Sequence, residues 1–202
     1  MASASLDYFL SCIPIPSGTT VPTSGGALFN YLLRRQLHSL GAPGFGMVRR
    51  FIEWTNRPDI RTSVARSSVP AAILTGIVAP WAGLVTIDGL QELTVPEFRA
   101  TAASLAAGRP VVLGLIYVGP GAVNIWHNHQ VLAYGTATVS PTVTDVKVYD
   151  PNEPRDDGAV IRCELLGGGS RVRCVQTNRG GTARVRGFFR MPYTRVTPPC
   201  LP

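Results

Sequence analysis

The hydrophobic pattern divides the chain in two. From residue 1 to 109 apolar positions recur mostly at helical spacing. From 110 to 202 they come in short β-branched runs separated by turn residues. Leu6, Phe9 and Leu10 mark an opening helix that Ser3 or Ser5 would cap and Pro14 and Pro16 would end. Residues 17 to 26, SGTTVPTSGG, read as a loop. A second helix carries Leu28, Tyr31, Leu32, Gln36 and Ser39, with Gly41 as its stop. A third covers Val48 to Asn56 and closes before Pro58. Residues 61 to 93 mix apolar runs with Pro and Gly and fit neither period. Beyond them Thr94 and Glu97 match a capping box, Pro96 falls in the first turn, and Gly108 with Pro110 ends the helix.

The second half reads as strands. PVVLGLIYV (110 to 118) has the unbroken apolar pattern of a strand buried on both faces. HQVLAYGTATV, VTDVKVYD, VIRCELL, RVRCVQT and ARVRGFFRMPY each predict one more. Helices followed by a meander predict an α+β fold, with N-terminal helices packed on a C-terminal antiparallel sheet in a single domain over 1–202. A turn centred on Gly168 and Gly169 sets Cys163 opposite Cys174, Glu164 opposite Arg173 and Leu165 opposite Val172. The facing cysteines read as buried thiols, with a bridge as the alternative.

Composition narrows the function classes. A 45% hydrophobic and 15% charged chain excludes a disordered protein, and no apolar run is long enough for a membrane span. The opening MASASLDYFLSCIPIP places an Asp in its apolar stretch and no basic residue before it, so it does not read as a secretory signal. The cytoplasm is the expected compartment, unless a larger secretion system delivers the chain. The four cysteines show neither CxxC nor zinc spacing, and no cofactor or phosphate-loop signature appears. The net charge of +7 comes from 18 Arg and the single Lys147. Few aromatic residues sit among the Arg, which disfavours nucleic acid as a partner. Arg171, Arg173, Arg184 and Arg186 fall together on the last hairpin, as either a wet surface or a strip for an anionic partner.

The candidate chemistry centres on His129, which starts one strand, and Asp150, which ends a later one. In an antiparallel sheet such ends can lie side by side, where a carboxylate fixes the tautomer of an imidazole base. The plain alternative is a strand-end His and a turn-forming Asp before Pro151. His127 and His129 would face the same side of a strand, but zinc would find only Asp150 besides them, so no metal site is assigned. Asp150, Glu153, Asp156 and Asp157, with Arg155 among them, lack calcium-loop spacing and read as a solvated turn.

Taken together, LDYF (6 to 9), LLRRQLHSL (32 to 40), NHQVLAYG (128 to 135), VYDPNEP (148 to 154) and GFFRMPY (187 to 193) resemble the papain-like cysteine peptidase superfamily. The likeness is to bacterial domains similar to the bacteriocin-processing peptidases. The resemblance implies His129 as base and Asp150 as its orienting partner, with Asn152 a weaker candidate. It also implies a nucleophilic Cys at the start of the first helix, activated by the helix terminus and the His, and an upstream Gln in the oxyanion hole. Counting back from Leu6, that Cys position is Ala2. Three expectations follow. The chain is a pseudoenzyme that binds a peptide or protein in the cleft between its helical and sheet layers; or it is an active cysteine hydrolase missing its N-terminal segment, or carrying Ala for Cys; or another nucleophile has taken over. For the last, Ser3 and Ser5 point away from the Ala2 direction, and Cys12 lies about 15 Å farther along a helix, as a core thiol.

Overall fold

Seven strands make one antiparallel sheet in the order β8-β7-β6-β5-β4-β3-β9. They are β3 (Val111–Ile116), β4 (His129–Ser140), β5 (Val143–Tyr149), β6 (Val160–Leu166), β7 (Arg171–Asn178), β8 (Gly181–Val185) and β9 (Gly187–Arg190). Helices α1 (Ala2–Leu10), α2 (Ala27–Ser39) and α3 (Gly46–Thr55) precede a short ladder of β1 (Thr62–Ala65) and β2 (Leu84–Ile87), and α4 (Leu90–Ala106) leads into the sheet. The structure is a computed structural model and describes residues 2–15, 22–41, 46–65, 84–121, 125–154, 156–178 and 181–200. Residues 17–21 of the loop expected at 17 to 26, much of 61 to 93, and Arg155 lie outside the described residues. No helix among the described residues is long and apolar enough to cross a membrane.

The run ARVRGFFRMPY (183 to 193), expected as one strand, falls on two. Its first part pairs with β7 and its second with β3, with Arg186 between them. β8 and β9 therefore stand at opposite ends of the strand order while adjoining in the chain, so the sheet curls round to bring its two edges together. Arg186 itself bridges the change of partner, its N–H donating to the Ile116 carbonyl at 2.8 Å.

The curl creates two cores on the two faces of β3 and β4. Inside, Val95, Phe98 and Leu105 of α4 pack with Leu113, Leu115, Val131, Ala133, Val148, Ile161 and Phe188. Outside, Ala2 and Leu6 of α1 and Phe51 and Trp54 of α3 cover Val112, Ile116, Leu132 and Phe189. Strand β3 is thus buried on both faces, as its unbroken apolar run requires. Each fully buried Leu, Ile or Phe contributes on the order of 1.5–3 kcal/mol. Gly114 leaves room for the aromatic layer, since a Cβ there would lie 2.8 Å from Cζ of Phe51.

Three local expectations are corrected. α4 starts at Leu90, not near Thr94, because the amides of Leu90 and Gln91 donate to the carbonyls of Pro58 and Asp59, at 2.9 and 3.0 Å. Thr94 is mid-helix, its hydroxyl donating to the Leu90 carbonyl at 2.7 Å, and Pro96 lies in the helix interior. Ser3 and Ser5 are buried inside α1 instead of capping it. Cys12 is no core thiol: α1 stops at Leu10, and Cys12 sits exposed in the following turn with φ 54°.

The opening helix is tied down by a buried ion pair. Asp7, fully buried, meets Nε of Arg35 on α2 at 2.7 Å and accepts from the hydroxyls of Tyr31 and Tyr193, at 2.6 and 2.7 Å. The Val196 amide also donates to it, at 3.0 Å. Arg35 in turn donates to the carbonyls of Thr194 and Ser3. A buried charge needs such partners. Burial, followed by the hydrogen bond to Asp7, pushes the phenols of Tyr31 and Tyr193 well above the ordinary tyrosine range.

Candidate functional site

Strand pleat decides which side chains meet. Leu115 pairs with His129 and Leu113 with Val131, so His129 points with these leucines into the curl. Tyr149 pairs with Leu132 on the outer face, so the next residue, Asp150, turns inward beside His129. Ile161 pairs with Gln176, and Tyr117 continues the Leu113–Leu115 alternation, which adds both to the same inner face.

The polar groups form one chain. His129 Nε2 lies 2.7 Å from Oδ1 of Asp150, which also accepts the Asn152 N–H at 2.9 Å. Gln176 Nε2 donates to Oδ2 at 3.0 Å, and its Oε1 accepts the Tyr117 hydroxyl. An ionised carboxylate only accepts, so Gln176 must turn its NH2 toward Asp150, and His129 must carry its proton on Nε2. Nδ1 is then the ring's acceptor, with no protein partner among the described residues. Burial would raise the Asp150 pKa, but the bonds from His129, the Asn152 amide and Gln176 outweigh it and hold the carboxyl below its usual range. Burial and then the Asp150 charge push the Tyr117 phenol far up, so it stays a donor.

Asn128 anchors the segment before His129. Its Oδ1 accepts the Tyr117 N–H at 3.0 Å, and its Nδ2 donates to Oγ1 of Thr55 at 2.9 Å, joining α3 to the end of β3. His127 closes a 3-10 turn (Ile125–His127), so it does not share a strand with His129. Among the described residues no three His, Cys, Asp or Glu side chains group to hold a metal ion.

The His129–Asp150 pair lines a cavity of about 560 Å³. Tyr117, Trp126, His127, Asn128, Asn152, Glu153 and Gln176 also line it, with Asn178, Gly181, Thr182 and Ala183. Asn152 thus reaches the cavity and fixes Asp150 through its backbone. Ala2 does not line it. That residue is wholly buried among Leu6, Val112, Leu132 and Phe189, on the outer face of the sheet. Ser3 and Ser5 are buried in the same helix, and none of the described cysteines lines the cavity. Cys163 and Cys174 face each other inside the curl, with sulfurs 3.8 Å apart and free. Cys12 and Cys200 are exposed elsewhere.

The four hairpin arginines do not form one open strip. Arg173 pairs with Glu164. Arg184 and Arg186 share Asp59, each at 2.6 Å. Arg186 is buried and also donates to the carbonyls of Thr55, Arg57 and Val118, which makes it a clamp for the loop before β1. Arg171 remains half-buried at the start of β7.

Spacing does not single out Gln176 or Tyr117, and Asn128 stands out only as part of the NHQVLAYG run; Gln176 nevertheless carries a signal. In RVRCVQT it holds an inward position in alternation with Val172 and Cys174, where a polar side chain needs a buried partner. No family model matches the chain, and neither a curated protein nor a solved structure matches it.

Proposed function

We propose that the chain is a papain-like, cysteine-peptidase-like domain that binds a peptide or a protein segment at the His129–Asp150 cavity without cutting it. The observation that carries this reading is a complete imidazole–carboxylate pair opening on a cavity lined by no thiol among the described residues. The order of the LDYF, NHQVLAYG and VYDPNEP motifs and the layering of helices on an antiparallel sheet support the papain-like assignment. The pair fixes one imidazole tautomer, which in a peptidase would take a proton from the nucleophile. Without a nucleophile the same Nδ1 is a hydrogen-bond acceptor for a ligand N–H. The rival hydrolase with its nucleophile at position 2 is disfavoured, because a thiol there would enter the outer core and not the cavity. An anionic partner on the hairpin is disfavoured by the carboxylates already held by Arg173, Arg184 and Arg186.

The reading is tested by passing a mixture of unrelated synthetic peptides over the immobilised chain and identifying retained and released species by mass spectrometry. Peptides should be retained intact by the wild type and lost by His129→Ala and Asp150→Asn. Fragments that appear with the wild type and vanish with His129→Ala would make it a hydrolase. Equal retention by all three proteins would remove the cavity from the function.

A further inference from the structure

Seven of the twelve Asp and Glu side chains of this arginine-rich chain pair with an Arg, and the open carboxylate of the cavity is not among them. Asp7, Glu53, Asp59, Asp88, Glu97, Asp145 and Glu164 each meet an Arg within 3.2 Å. Glu153 lines the cavity and has no side-chain partner among the described residues. Its backbone N–H donates to the Asp150 carbonyl at 3.0 Å, which holds it in the turn beside the His129–Asp150 pair. Among the described residues no Lys or Arg lines this cavity, although the chain carries +7 overall.

Trp126 is the second feature. Arg50 lies over the rings of Trp54 and Phe189 and Arg35 over Tyr193, so these aromatics have their cations within the fold. Trp126 lines the same cavity as Glu153 and is 70% exposed. An exposed indole and an open carboxylate lining one cavity suit an alkyl chain ending in a positive charge: the ring takes the chain and the cation's face, the carboxylate its N–H groups.

Resting on the proposed reading of this cavity as a peptide site, we infer that it selects a peptide with a Lys or Arg side chain, whose cation meets Glu153 and Trp126 beside His129. The positive field of the whole protein works against such a ligand at long range. Discrimination therefore has to come from the cavity itself, within a Debye length of about 10 Å at 0.1 M salt.

The experiment uses four capped hexapeptides, identical except for a central Lys, Arg, norleucine or Glu. Their affinity is measured by calorimetry on the wild type, Glu153→Gln and Trp126→Ala. The Lys and Arg peptides should bind the wild type tightest. Glu153→Gln should weaken them by about fivefold, as expected for a partly exposed ion pair, and leave the norleucine peptide unchanged. Trp126→Ala should weaken Lys, Arg and norleucine peptides together, since it removes the platform for the alkyl chain as well. If all four bind alike, or the Glu peptide binds best, while His129→Ala still abolishes binding, the charge selection is wrong and the peptide site stands. If none binds at any concentration reached, both readings fail together.

Discussion

Asp150 receives His129 and Gln176 on different oxygens, 2.7 Å on Oδ1 and 3.0 Å on Oδ2. One buried carboxylate therefore orients an imidazole from β4 and an amide from β7, across the two strands between them in the sheet order. The bonds outweigh burial and keep the carboxyl ionised.

That balance gives a pH signature. A carboxyl held below its unfolded value of about 3.9 adds stability that is fully present above that value and is lost as the pH falls through the folded pKa. Asp150→Asn should cost about 1–3 kcal/mol at pH 7, because Gln176 would face an amide and the buried pair would lose its charge. The variant should also lose less stability than the wild type between pH 5 and 2. Urea unfolding across that range measures both, and parallel pH profiles would contradict the account.

Asp7 and Arg35 should behave as a unit. Removing either partner leaves a buried charge without its counter-ion, so Asp7→Ala or Arg35→Met should each destabilise by about 3–5 kcal/mol. The Asp7→Ala, Arg35→Met double variant should lose less than the sum of the two single losses. Denaturant unfolding of all four proteins gives the coupling, and additive losses would argue against a tight pair.

The placement of Ala2 makes a chemical prediction. A cysteine introduced by Ala2→Cys should be buried in the outer core and react with iodoacetamide no faster than an unfolding-limited rate. It should generate no peptide cleavage. Fast alkylation that depends on His129 would put residue 2 in the cavity and restore the hydrolase reading.

The native thiols can be counted. The contact with Cys174, then burial, pushes the Cys163 thiol up, which makes it a poor nucleophile. An aromatic disulfide reagent should titrate Cys12 and Cys200 in the folded chain and all four cysteines after unfolding. Only two reacting after unfolding would mean that Cys163 and Cys174 are bridged.

Much of this architecture is legible in the sequence where the signal is local. The run 110–118 declares a strand buried on both faces, and the Gly168–Gly169 turn sets the observed Cys163–Cys174 and Glu164–Arg173 pairing. What escapes depends on distant backbone. The start of α4 rests on carbonyls of Pro58 and Asp59, some thirty residues earlier, so the local capping pattern at Thr94 misleads. The break at Arg186 leaves no mark, because either half of ARVRGFFRMPY reads equally well as strand; only closure of the curl separates them. The site is split the same way: the strand ends bearing His129 and Asp150 stand out, while Gln176 and Tyr117 reach them by pleat parity on other strands.

The central claim is that the ring of His129, held through Nε2 by Asp150, offers Nδ1 to a bound ligand that stays whole. Nitrogen-15 spectra of histidine-labelled protein, recorded at pH 7.5 with the Arg hexapeptide, read this directly. The account predicts a protonated Nε2 in the free protein, a shift of the His129 Nδ1 signal on titration, and an intact peptide after prolonged incubation. A proton on Nδ1, an unmoved His129 signal with peptide bound, or hexapeptide fragments would contradict it.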